Sequence, residues 1–173
     1  MEHEFFGRKS KFGIELEIHD SLKKLGKARF WINEKQVGEF KVKHKLSYLK
    51  SGLRALLQNE NQLWDDRFEG KNPEEIATMC WMIGKDLIWM PENEANEAAQ
   101  FLKFSLYFGE QFDSACILVY KQNNKFHFIW TKTQEQLSTK IDYLKHLDFE
   151  STESEFLKQV IERFFKWFDS STN

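Results

Sequence analysis

Residues 11–19 alternate cleanly, with Phe12, Ile14, Leu16 and Ile18 on one side and Lys11, Glu15 and Glu17 on the other. A period of two marks a half-buried antiparallel strand. The polar run from Asp20 to Gly26 reads as a connection. A second strand follows over about 28–33, with Ala28, Phe30 and Ile32 on its core side. Asn33-Glu34-Lys35 makes a turn, and Val37, Phe40 and Val42 suggest a third strand interrupted near Gly38. The chain therefore opens as a meander of short strands.

The period then changes. Leu46, Leu49, Leu53, Leu56 and Leu57 recur at helical spacing and predict an amphipathic helix over about 46–58. Residues 59–71 are polar and read as an exposed loop. Asn72-Pro73-Glu74-Glu75 is a helix start, with Asn as the cap, Pro in the first turn and acids at the positive end. That helix covers Ile76, Met79, Cys80 and Ile83, and Gly84 is placed to end it. A short helix over 92–103 sets Ala95, Ala98, Ala99 and Leu102 on one side. Ala115 to Tyr120 and Lys125 to Thr131 form a hairpin about Gln122-Asn123-Asn124. Within it Phe126, Phe128 and Trp130 share one face, and His127 and Ile129 the other. Thr133 to Gln136 fits a capping box for a helix to about Leu147, and Thr152 to Glu155 fits another for a last helix. The apolar stripe of that last helix runs through Phe156, Leu157, Val160, Ile161, Phe164, Phe165 and Phe168.

These elements predict an α+β fold in one domain spanning 1–173: an antiparallel sheet built from the N-terminal meander and the 115–131 hairpin, with helices mainly on one face. The expected core contains Phe12, Ile14, Leu16, Phe30, Leu53, Ile117, Phe128, Val160 and Phe164. A chain of 173 residues buries roughly 70% of its unfolded surface without disulfide or metal staples. The 17 Phe, 6 Trp and 4 Tyr make a Phe-built core the plain explanation, with an aromatic contact surface as the alternative. Cys80 and Cys116 sit in apolar surroundings far apart in sequence and read as reduced thiols. The chain start has no apolar run of signal-peptide length, and no segment approaches a membrane span. These features together predict a cytoplasmic protein.

Charge adds a direction. The net charge of −2 hides a balance of +5 over residues 1–50 and −6 over residues 51–110. A nucleic-acid binder carries a basic excess, and this chain does not. An acidic middle third suits a basic partner, although a solvated acidic surface gives the same count. Within it, Trp64 stands beside Asp65, Asp66 and Glu69, and Glu92, Glu94 and Glu97 open the next helix. These seven residues are the candidate partner-binding set, with Trp64 as an anchor for a basic cleft. The alternative is that Trp64 folds back onto the core as a cap.

Catalytic chemistry finds little support. None of His3, His19, His44, His127 and His146 lies within metal-ligand spacing of another His or a Cys. There is no Gly-rich phosphate loop, no Gly-x-Ser-x-Gly elbow and no Cys-x-x-Cys pair. Asp65-Asp66 lacks the periodic oxygen ligands of a calcium loop. Arg8-Lys9-Lys11 and Lys23-Lys24 read as basic residues guarding strand edges rather than as phosphate contacts. No cofactor is predicted. A small enzyme or ligand-binding domain using His19, Glu17 and nearby carboxylates is the alternative to a protein-binding role.

Several segments resemble the bacterial immunity proteins of polymorphic toxin systems, in particular the group called immunity protein 42. The first is Phe6-Gly7 to Phe12-Gly13-Ile14, followed by Gly26-Lys27-Ala28-Arg29-Phe30-Trp31-Ile32-Asn33. The second is Phe108-Gly109-Glu110-Gln111-Phe112-Asp113, then Ile117 to Tyr120 and Phe126-His127-Phe128-Ile129-Trp130. The closing stretch Glu155-Phe156-Leu157-Lys158-Gln159-Val160-Ile161 resembles that group's last helix. The resemblance implies a cytoplasmic antitoxin that binds a cognate toxin domain, often one delivered by a neighbouring cell, and occludes its active site or an adjacent surface. Such a protein needs no catalytic residue.

Overall fold

The alternating stretch after Lys11 becomes an inner strand of a five-stranded antiparallel sheet. The computed structural model describes residues 2–22, 24–41, 43–86, 99–131 and 147–170. Strand β2 (Phe12–Asp20) lies between β1 (Glu2–Gly7) and β3 (Leu25–Ile32). The far side of β3 is shared by β4 (Lys35–Val37) and the two-residue β5 (His44–Lys45). Ile14 pairs with Phe30 and Leu16 with Ala28, so the apolar sets of both strands face the same way and are buried. Asn33 and Glu34 take positive φ of 46° and 69°, the type I′ pattern whose twist matches a hairpin. Strand β1 was not expected, because the adjacent Phe5 and Phe6 break the alternation. Phe6 is buried, and the ring of Phe5 lies outside over Gly13.

The 115–131 hairpin forms as β6 (Leu118–Gln122) and β7 (Lys125–Thr131), with Asn123 and Asn124 at φ of 50° and 61°. Its strands belong to a second sheet, of order β6-β7-β8, completed by β8 (Leu147–Glu153). The fold class is α+β, with its strands partitioned between two antiparallel sheets. The sheets meet through Phe12 and Phe128, whose rings stack at 6.0 Å, and through Lys35 Nζ, 2.7 Å from Asp148 and 2.5 Å from Glu150. Residues 133–146 of the helix expected before β8 lie outside the described residues. Leu147 itself starts a strand.

Three helices occur among the described residues: α1 (Leu46–Gln58), α2 (Pro73–Asp86) and α3 (Ser154–Ser170). Helix α1 buries Leu46, Leu49, Leu53 and Leu56, and α3 buries Leu157, Val160, Ile161, Phe164 and Phe168. Both pack on the inner face of the first sheet, where Phe6 meets Phe164 edge-on at 5.7 Å. The Asn72 side chain accepts from Glu75 N at 2.9 Å and the Glu75 carboxylate accepts from Asn72 N at 2.8 Å, a reciprocal cap for α2. That helix runs past Gly84 to Asp86. Helix α3 has no such box, since Thr152 is a buried β8 residue opposite Phe126 and Ser154 N is bound by Asn124 O at 2.9 Å.

All nine residues expected in the core are buried. Phe30 stacks on Phe112 at 4.4 Å and meets Phe108 edge-on at 5.1 Å, so phenyl rings fill the space between sheet and loops. Two expectations change. Residues 59–71 are not a free loop: Leu63 and Phe68 are buried, and Leu63 O accepts from Lys121 N at 2.6 Å. Leu102, expected on an inner helical side, is exposed, because Leu102–Phe104 is a 3-10 turn that turns Phe104 inward.

Candidate protein-binding surface

Chain direction through the acidic segment is set by two buried residues, Leu63 and Phe68, with Trp64, Asp65 and Asp66 between them. The Trp64 indole packs partly buried against the core, edge-on to Phe68 at 5.9 Å. Its Nε1 donates to Asp66 Oδ1 at 3.2 Å. Trp64 thus caps the core, one of the two roles its sequence context allowed, and leaves part of its ring outside.

Asp65 is occupied locally. Its Oδ1 accepts from Arg67 N at 3.1 Å, capping the turn Asp66–Phe68, and the Arg67 guanidinium reaches both carboxylate oxygens at 2.7 and 2.8 Å. The hydrogen bonds from Arg67 hold the Asp65 carboxyl below its ordinary range, against the opposing effect of burial. Arg67 also stacks over Phe101 at 4.1 Å. Asp66 and Glu69 are exposed. Glu92, Glu94 and Glu97 lie outside the described residues. Sequence reasoning missed the Arg67 clasp; a cation two residues after Asp65 was its signal.

The alternative cluster is equally well defined. On the outer face of the first sheet, Glu17 is gripped by Lys27 Nζ at 2.5 Å and His19 Nε2 at 2.6 Å, with His3 at 3.9 Å. The hydrogen bond from Lys27 lowers the Glu17 carboxyl, burial opposes it and His19 adds to the lowering. One row along, Glu15 accepts from Arg29 at 2.9 Å through both oxygens and from Trp31 Nε1 at 2.5 Å. The Arg29 guanidinium lies between Phe40 at 4.3 Å and Trp31 at 4.9 Å. This is a cross-strand ladder of opposite charges and aromatic rings, the ordinary means of stabilising a sheet face. Among the described residues no group of three or more His, Cys, Asp or Glu side chains is placed to hold a metal ion.

A family model described as Immunity protein 42 matches residues 1–167, nearly the whole chain. The chain belongs to the immunity protein 42 family. No curated protein and no solved structure matches it. The segment Phe6–Ile14 makes the turn end of the β1–β2 pair, where Gly7 faces Gly13, and the phenyl rings of Phe108 and Phe112 pack on Phe30. No helix among the described residues is long and apolar enough to cross a membrane.

Proposed function

We propose that this immunity protein works in the cytoplasm as the antitoxin of a polymorphic toxin system, binding a cognate toxin domain and occluding its active site or an adjacent surface without catalysis of its own. The observation that carries this reading is the family match over residues 1–167. The side chains support a non-catalytic role: Glu17, the best-placed candidate base, is engaged by Lys27 and His19 as part of the sheet ladder. The toxin surface that fits is basic, such as a nuclease cleft, because residues 51–110 carry the chain's acidic excess. Within that region Asp66 and Glu69, together with Glu92, Glu94 and Glu97, are the acids assigned to the interface. Trp64 and Asp65 belong to the same candidate set.

The test is co-expression. The toxin domain encoded beside this gene is induced in a bacterial host with and without the immunity protein. Growth restored by the immunity protein, and a one-to-one complex on gel filtration, is the expected outcome. Unrelieved toxicity with both proteins present in soluble form would sink the proposal.

A further inference from the structure

The second sheet turns Phe128 toward Phe12 and the first sheet, so the alternate residues of β7 and β8 face away from it. Ile129 and Phe149 are direct partners on that outer side, with Leu147 two residues along. The N-terminal turn of α2 stands beside these three residues. Asn72, Glu74, Ile129, Leu147 and Phe149 enclose a groove of about 310 Å³, at the small end of the range that takes a ligand or side chain. Its floor is apolar, and Phe149 is 56% exposed at the rim, an uncommon position for a phenyl ring with no covering partner among the described residues. Glu74 is exposed and makes no ion pair or hydrogen bond among the described residues. It also walls a neighbouring recess with Glu75 and Lys71.

The start of a helix ordinarily favours an anion. This one does not. The Glu75 N–H is taken by the Asn72 side chain, the Asn72 N–H by the Glu75 carboxylate, and two full negative charges in the first turn outweigh the half positive charge of the helix end. What fits is a long apolar stem ending in a cation. Lysine and arginine have that chemistry: their methylenes lie on apolar surface while the charged head stays at the rim. A guanidinium there gains the face of Phe149 as well as the carboxylate of Glu74.

We propose that this groove seats an arginine or lysine side chain of the toxin domain, with its stem on Ile129, Leu147 and Phe149 and its cationic head at Glu74. The proposal rests on the immunity reading above and adds a contact that the acidic segment 64–69 does not contain.

Two measurements test it. In the first, n-butylguanidinium is titrated into ¹⁵N-labelled protein, with butyl sulfonate as the anionic control. Saturable shifts at the amides of Glu74, Ile129 and Phe149, in about the millimolar range, are expected with the cation alone. They should weaken about fivefold or more in Glu74→Gln and in Phe149→Ser. Scattered, non-saturating shifts, or equal response to the sulfonate, overturn the groove chemistry. In the second, the toxin domain encoded beside the gene is captured by wild type, Glu74→Lys and Phe149→Ser, each checked for folding by circular dichroism. A rise of about tenfold or more in Kd is expected for both variants. Wild-type affinity in both overturns the proposal and leaves the immunity reading intact. Failure of the wild-type chain to bind sinks that reading and removes the toxin as occupant, and the guanidinium titration then decides the groove by itself.

Discussion

A Cβ added to Gly52 would stand 2.2 Å from the carbonyl oxygen of Tyr107. Gly52 is buried in the middle of α1, where glycine weakens a helix by about 0.5–1 kcal/mol relative to alanine. The close approach of the 107–108 backbone is what keeps a glycine there. Gly52→Ala should therefore destabilise despite its better helix propensity. Overpacking of this kind costs about 1–3 kcal/mol, and the obstacle is backbone, which yields less easily than a side chain. A urea titration should show a lower midpoint with unchanged slope. A midpoint at or above wild type would mean that the Tyr107 backbone moves freely off α1.

Phe164 sits where α3 meets the first sheet, fully buried among Phe6, Trp167 and Phe168. Phe164→Ala should cost about 3–5 kcal/mol, because the surrounding rings come from two elements and cannot collapse together into the space. A loss below about 1 kcal/mol would place the ring outside the cooperative core.

The Cys80 thiol is pushed up to about 12, first by burial and then by Asp65. Its thiolate is therefore scarce at pH 8, where a thiol of that pKa is only about 10⁻⁴ ionised. Alkylation of native protein should leave Cys80 unmodified while denatured protein without reductant takes two labels, on Cys80 and Cys116, neither of which is in a disulfide. Zero labels on denatured protein would require a disulfide.

How much of this was legible beforehand follows from the range of the forces involved. The β2 alternation, helix α1 and both Asn-containing turns are local patterns, and each forms where the sequence predicts. Strand β1 and strand β8 are not local: β1 exists because Phe6 docks on Phe164, and β8 because residues 147–153 pair with β7. Their own sequences carry weak alternation, so packing on the distant helix α3 decides β1 and pairing with β7 decides β8. The partition into two sheets was hidden for the same reason. At the candidate site, the acids and Trp64 were visible by type. That Asp65 is neutralised by Arg67, and that Ile129 and Phe149 stand beside Glu74, depends on contacts between elements that composition cannot express.

His127 provides a pH test. Its imidazole stacks on Tyr120 at 4.7 Å, and burial pushes its pKa below the ordinary value of 6.5, with a hydrogen bond donated by the ring to the Gln122 backbone opposing and Lys125 adding to the fall. The unfolded chain therefore takes up this proton at a higher pH than the folded one. Between the two values the unfolded state holds more protons, so stability must fall as pH is lowered through about 6.5 and level off below the folded pKa. His127→Phe keeps an aromatic ring in the stack and removes the proton. Its stability between pH 7 and 5 should decline less than that of wild type. Parallel pH profiles would mean that His127 titrates normally in the fold.

The last prediction separates the exposed acids from the one held in an ion pair. Asp66 and Glu69 are exposed, whereas Asp65 is held by Arg67 and Trp64 rests on Phe68. If the acidic segment steers the encounter with a basic toxin surface, its contribution acts before contact and is screened over about 8 Å at physiological salt. Reversal of Asp66 and Glu69 to lysine should then slow association and flatten its dependence on salt, with little change in dissociation or stability. Asp65→Asn should behave differently. It removes a local clasp, so it should lower stability at neutral pH. The Asp65 carboxyl is depressed in the fold, so the stability it contributes is present above the ordinary carboxyl range and is lost as pH falls through the folded value. The Asp65→Asn deficit should accordingly shrink in acid. Trp64→Ala should lower stability through lost packing and speed dissociation only if the outer part of the ring touches the toxin. Capture kinetics at several salt concentrations, beside urea titrations at pH 7 and pH 3, resolve the three. Unchanged association after reversal of both exposed acids would move the interface away from this segment.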